Sequence, residues 1–191
     1  MMDLEKIQAN AHRLRTLFHG AGPDDMCEYY DIWCDEMDLG TDDNCIKGFI
    51  HSNSRCYAII INSNLPDHIK KIVKLHEVMY YYLGHLTGTV CTFEDRYFSY
   101  AYTASMHLEN EANFVLADYI LDTCDTIDAL HSMPLESAAS IFCVPPEILK
   151  FKCRLLAYAG KLNNINNMSL DTESDFMKHI ECQTNGSEIV N

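Results

Sequence analysis

Hydrophobic residues recur at helical spacing along most of this chain, most regularly from Leu65 to Leu86, LPDHIKKIVKLHEVMYYYLGHL. Ile69, Ile72, Val73, His76, Met79, Tyr80 and Leu83 share one face and Lys70, Lys71 and Lys74 the other, which predicts a helix buried along one stripe. Leu4, Ile7, Ala11, Leu14, Leu17 and Phe18 predict a second amphipathic helix over residues 3–18, with Asp3 and Glu5 in its first turn. A third is predicted from about Ala104 to Leu121, where Leu108, Ala112, Val115 and Tyr119 form one stripe and Glu109, Asn113, Leu116 and Ile120 an adjoining one. Two shorter helices should follow, about Leu135 to Phe142 and Pro146 to Tyr158, with Pro145 and Pro146 marking the junction.

Alternation is rarer. Ile46 to His51 and Arg55 to Asn62 read as strands joined by the polar turn Ser52-Asn53-Ser54, and Tyr57-Ala58-Ile59-Ile60-Ile61 is β-rich enough for a central strand. Met26 to Leu39 fits neither period and is compatible with a strand or an irregular helix. His85 to Tyr102 has no clean period and suits a functional loop or the rim of a cleft. The polar, Asn-rich residues 161–191 read as a loosely attached tail. The pattern therefore predicts an α+β domain over residues 1–160, in which a hairpin feeds directly into the His76 helix.

Composition narrows the function. A net charge of −14 repels nucleic acid unless a local basic patch overrides it, so protein partners are favoured. Lys150, Lys152 and Arg154 make the last helix locally basic, and the final helix pair has a helix-turn-helix look. No run reaches the ~18 apolar residues of a membrane span, and the charged, amphipathic start is not a secretory signal, so a cytoplasmic protein is expected. The nine cysteines form no C-x-x-C pair and suit scattered reduced thiols better than a disulfide framework.

Candidate chemistry concentrates on the helix met first. His76 lies on the buried stripe and Glu77 follows it, placing an imidazole and an acid where solvent is scarce. A zinc peptidase helix reads H-E-x-x-H because residues four apart face the same way and two imidazoles grip one ion, while the glutamate activates its bound water. Here the second position is Tyr80. Glu109 supplies a third ligand on the next long helix, and Asn113, one turn on, could hydrogen-bond a ligand from outside. Tyr80 reaches the right face, and a phenolate can bind metal, but its ordinary pKa near 10 makes it a weak ligand. On a continuous helix His85 would lie about 13.5 Å along the axis from His76 and on another face, so it joins only if the helix breaks near Gly84. Read without any metal, His76 is a core histidine, Glu77 a partner of Lys74 or a buried hydrogen-bonded acid, the Tyr80-Tyr81-Tyr82 run packing, and His85 and His107 surface or rim residues.

The order of these segments resembles the ImmA/IrrE family of metallopeptidases. The family's strand, short connection and H-E-L-G-H run is echoed by IIINSNLPDHIKKIVKLHEVMYYYLGHLTG, its E-x-x-A-N-x-F-A-type helix by Glu109 to Ala117, and its closing helix pair by Leu135 to Leu155. Met79 stands where the family has glycine, and Tyr80 where it has the second histidine. The resemblance implies a zincin-like domain with a small antiparallel sheet, a long active-site helix and a second ligand-bearing helix. In it His76, Glu109 and, weakly, Tyr80 would hold zinc, Glu77 would be the catalytic base and Asn113 would lie behind the ligands. The implied activity is cleavage of helix-turn-helix repressors of prophages or mobile elements, weakened or lost with the second histidine. The alternative is a metal-free pseudoprotease that binds a regulator without cutting it.

Overall fold

The structure, a computed structural model, describes residues 3–42, 45–53, 56–86 and 102–162, with side chains from 107 onward in the last segment. Within these residues the fold is mixed α+β, seven helices around a three-stranded sheet. Helix α1 (Leu4–Leu17) starts where Asp3 accepts from the Lys6 amide at 3.0 Å, and it buries Ile7, Ala11 and Leu14. The ambiguous segment resolves into both of its options: α2 (Pro23–Tyr29), opened by Pro23, and β1 (Ile32–Met37). Tyr30 and Asp31 turn the chain between them, Asp31 at a φ of 54°.

Strands β2 (Gly48–Asn53) and β3 (Cys56–Asn62) form the expected antiparallel pair, and β3 is central. The sheet as a whole is not antiparallel, which corrects the sequence expectation. β1 lies on the other side of β3 and runs parallel to it, Ile32 opposite Tyr57 through Met37 opposite Asn62. A parallel partner distant in sequence leaves no local signature, so the hairpin alone was readable. Asn62, fully buried, organises the chain beyond the sheet: its amide donates to the Gly40 and Ile46 carbonyls, each at 2.9 Å, and its Oδ1 accepts from Asn64 N–H at 3.1 Å.

Helix α3 (Asp67–Tyr82) packs on β2 and β3 and carries the candidate chemistry. It sits so close to β2 that a Cβ on Gly48 would fall 2.6 Å from Val73 Cγ1. The single buried stripe holds only for its first half. Every residue from Leu75 to Tyr80 is buried, because α4 (Tyr102–Ile120) covers the side that the sheet leaves open. Helix α4 in turn lies between α1 and α7 and contributes Ala112, Val115, Leu116 and Ala117 to the core.

Helix α5 (Thr123–Ser132) has no counterpart in the sequence expectation. It buries Thr126 alone, so no apolar stripe announces it, and it is set by Asp122, which accepts from the Cys124 and Asp125 amides. These amides hold the Asp122 carboxyl below its usual range. Helices α6 (Leu135–Ile141) and α7 (Pro146–Tyr158) occupy the expected places. Among the described residues no helix is long and apolar enough to cross a membrane. Most of the proposed rim, residues 87–101, and nearly all of the expected tail, residues 163–191, lie outside the described residues.

Candidate functional site

Two elements build the site, the buried second half of α3 and the first half of α4. Glu109 meets His76 across the interface, Oε2 3.2 Å from Nε2, with His76 1% exposed and the carboxylate 20% exposed. The sequence-predicted juxtaposition of these two residues is therefore present. Tyr80, one turn on from His76, is buried with its ring 5.3 Å from the imidazole. Asn113, one turn on from Glu109, is fully buried.

Glu77 points elsewhere. Its side chain is 1% exposed, and Oε2 accepts from the Ile50 backbone N–H at 3.0 Å. Lys74 is not its salt-bridge partner: that ammonium reaches Asp24 at 2.6 Å. Glu77 thus ties α3 to the sheet at an edge strand, whose outward amide would otherwise be buried without a hydrogen bond.

His85 departs most from expectation. The helix does break at Gly84, which takes a φ of 72°. His85 N–H then bonds the Tyr80 carbonyl at 3.1 Å and Gly84 N–H the Tyr81 carbonyl at 3.0 Å, the paired bonds that close a helix through a left-handed glycine. This closure lays the residue after the glycine over the last turn. The His85 ring accordingly meets the Tyr80 ring edge-on at 5.2 Å, with its side chain 5% exposed rather than on the surface. Its Nε2 lies 3.1 Å from Glu111 Oε2, and Lys6 reaches the other Glu111 oxygen at 2.6 Å. Burial pushes His85 below the usual histidine range, with Glu111 acting in opposition. Burial would raise Glu111, but hydrogen bonds from Lys6 and His85 outweigh it and hold the carboxyl low. Sequence reasoning missed this cluster, although Gly84 immediately after an apolar helical run was a usable signal. His107, by contrast, is exposed as expected.

The result is a row of rings, His76, Tyr80 and His85, flanked by Glu109 at one end and Glu111 at the other. The donor chemistry decides whether the row fits zinc. Two donors on a tetrahedral zinc, each bonded at ~2.0–2.1 Å, stand ~3.3 Å apart. His76 and Glu109 match that edge. Among the described residues no third His, Cys, Asp or Glu gathers with them, where a catalytic zinc takes three protein ligands.

Two cations of the last helix turn inward. Lys152 is 1% exposed and bonds Asp118 of α4 at 2.8 Å, and the Arg154 guanidinium lies over the Phe114 ring at 5.4 Å. Of the three basic residues of α7, two are thus spent on packing against α4. Comparison with known protein families, with curated proteins and with solved structures found no match for this chain.

Proposed function

We propose that this chain is a peptidase-fold regulator, resembling ImmA/IrrE proteins in the order of its segments, that binds a helix-turn-helix repressor of a prophage or mobile element without hydrolysing it. One observation carries the reading: the carboxylate expected to act as general base is enclosed and bonded to the Ile50 amide. A general base must reach the proton it removes, directly or through one water, and a carboxylate engaged with a strand amide serves the scaffold instead.

A second reading, a weakened zinc hydrolase, keeps one observation of its own, the 3.2 Å spacing that matches one edge of a zinc tetrahedron. The two readings separate on metal content and on cleavage. The purified full chain, dialysed against micromolar zinc and then chelator, should retain no stoichiometric metal. It should bind the repressor encoded by the same genetic element in a calorimetric titration and leave it intact by mass spectrometry. Zinc surviving chelation, together with repressor cleavage that Glu77→Gln abolishes, would replace the regulator with the hydrolase. Absence of repressor binding would remove the partner assignment.

A further inference from the structure

The two edges of the sheet are finished differently. At β2 the outward Ile50 amide is taken by Glu77, whereas β1, at the other edge, has no strand beyond it among the described residues. Met37 turns its carbonyl toward the end of β3, where Ser63 N–H bonds it at 2.8 Å. The alternation of a ladder therefore turns the N–H and C=O groups of Cys34 and Glu36 outward. In keeping with this, the Glu36 amide is held by a side chain instead, donating to the Asp35 carboxylate at 2.9 Å. Glu36 reaches Lys70 of α3 from one face of the strand, which leaves Trp33, Asp35 and Met37 on the opposite face. All three are exposed, Trp33 and Met37 by at least half.

The charge around this edge has one sign. The chain from Thr16 to Ile46 holds no lysine or arginine, and the α3 cations that reach this region, Lys70 and Lys74, are paired with Glu36 and Asp24. Two copies of β1 laid side by side would set acid against acid, so the edge resists self-pairing and suits a basic strand. We propose that the open edge of β1 takes up an extended segment of a partner protein, antiparallel, with a basic residue opposite Asp35 and apolar residues opposite Trp33 and Met37. Main-chain bonds to Cys34 and Glu36 supply the affinity of such strand addition, and the alternate side chains its specificity. The incoming cation draws the Asp35 carboxylate off the Glu36 amide, which then donates to the segment. Without a cation Asp35 keeps that amide capped. The surface lies away from the ring row, and the repressor reading neither supports nor requires it.

Trp33 is the only tryptophan of the chain, so its fluorescence reports this edge directly. The probe is the synthetic peptide Thr-Val-Thr-Arg-Thr-Val-Thr, blocked at both termini and titrated into the full chain. The expected result is a saturable blue shift of the Trp33 emission. Binding should weaken severalfold when glutamate replaces the peptide's arginine, or when Asp35→Lys reverses the charge on the protein. N-methylation of the two threonines beside the arginine, whose amides face Cys34 and Glu36, should abolish binding; N-methylation of the arginine amide, which points away, should not. No shift at millimolar peptide, or equal binding by the arginine, glutamate and threonine-methylated peptides, would overturn the proposal. Sedimentation of the free chain as a dimer, with Trp33 emission that shifts as chain concentration rises, would give the edge to a second copy instead. The peptide comparisons decide the matter even if Asp35→Lys fails to fold.

Discussion

Helix α4 carries acids at its middle and toward its C-terminus, and the two places use them differently. Toward its C-terminus Asp118 is 7% exposed and meets the buried ammonium of Lys152 at 2.8 Å, with Arg15 on its other side. At its middle Glu109 and Glu111 meet His76 and His85. The first pair is a buried ion pair that ties α4 to α7. Burial pushes His85 below the usual histidine range, so its contact with Glu111 depends on conditions. The same helix thus meets one neighbour through a buried ammonium and another through imidazoles.

The sharpest way to break this comparison is to remove one acid from each place. Asp118→Ala strands the Lys152 ammonium in the core and should cost ~3–5 kcal/mol, whereas replacing a buried ion pair as a unit is far milder. Glu109→Ala should cost about 1 kcal/mol or less, because its carboxylate is partly solvated. Urea denaturation of the two variants measures the difference. Equal losses would mean that the two places are not distinct.

Next in size is Glu77, which belongs to the site by sequence and to the scaffold by contact. Glu77→Ala leaves the Ile50 amide without this acceptor and should lower stability by ~1–3 kcal/mol, while Glu77→Gln keeps an acceptor oxygen and should lose less. A Glu77→Ala variant as stable as the wild type would return the residue to the role of uncommitted base.

The reach of the sequence pattern can be judged at these same residues. The meeting of His76 with Glu109 was legible because helix periodicity puts each on the inward face of a long helix, and α7 was legible because two prolines fix its start. What Glu77 does was not, since its partner is a backbone amide on another element and leaves no side-chain signature. The inward turn of Lys152 was equally hidden, because a cation at a core position looks like a surface cation until its acid is found on another helix. The all-round burial of α3 from Leu75 to Tyr80 depends on two neighbours at once, and periodicity reports one.

An imidazole at position 80 tests whether the His76–Glu109 edge can be made a metal site. Tyr80→His places an imidazole one turn from His76, and zinc affinity should rise by at least ~10-fold, about 1.4 kcal/mol, as a primary ligand is worth more than the ~10–100-fold of an outer partner. Glu109→Ala in that background should remove the gain. Adding Met79→Gly, which the family pattern suggests, is a poor choice, because Met79 is fully buried and its loss should cost ~2–5 kcal/mol of core packing. A folded Tyr80→His chain with unchanged zinc affinity would mean that position 80 does not face the His76–Glu109 edge.

The smallest expected effect lies in how stability depends on pH. His85 binds its proton more weakly in the fold than in the unfolded chain, because burial disfavours the imidazolium more than Glu111 favours it. As pH falls below ~6.5 the unfolded chain takes up this proton first, so the stability contributed by neutral His85 is full above that value and is lost as pH falls toward the folded one. Glu111 is also depressed, and its contribution disappears in the same direction only below ~4.3, which leaves the range from neutral to mildly acid to His85. His85→Gln keeps a hydrogen-bond donor toward Glu111 but cannot titrate. The wild type should therefore lose stability from pH ~7 to ~5.5 more steeply than His85→Gln when both are unfolded in urea at each pH. Parallel slopes would show that His85 exchanges its proton as freely in the fold as outside it.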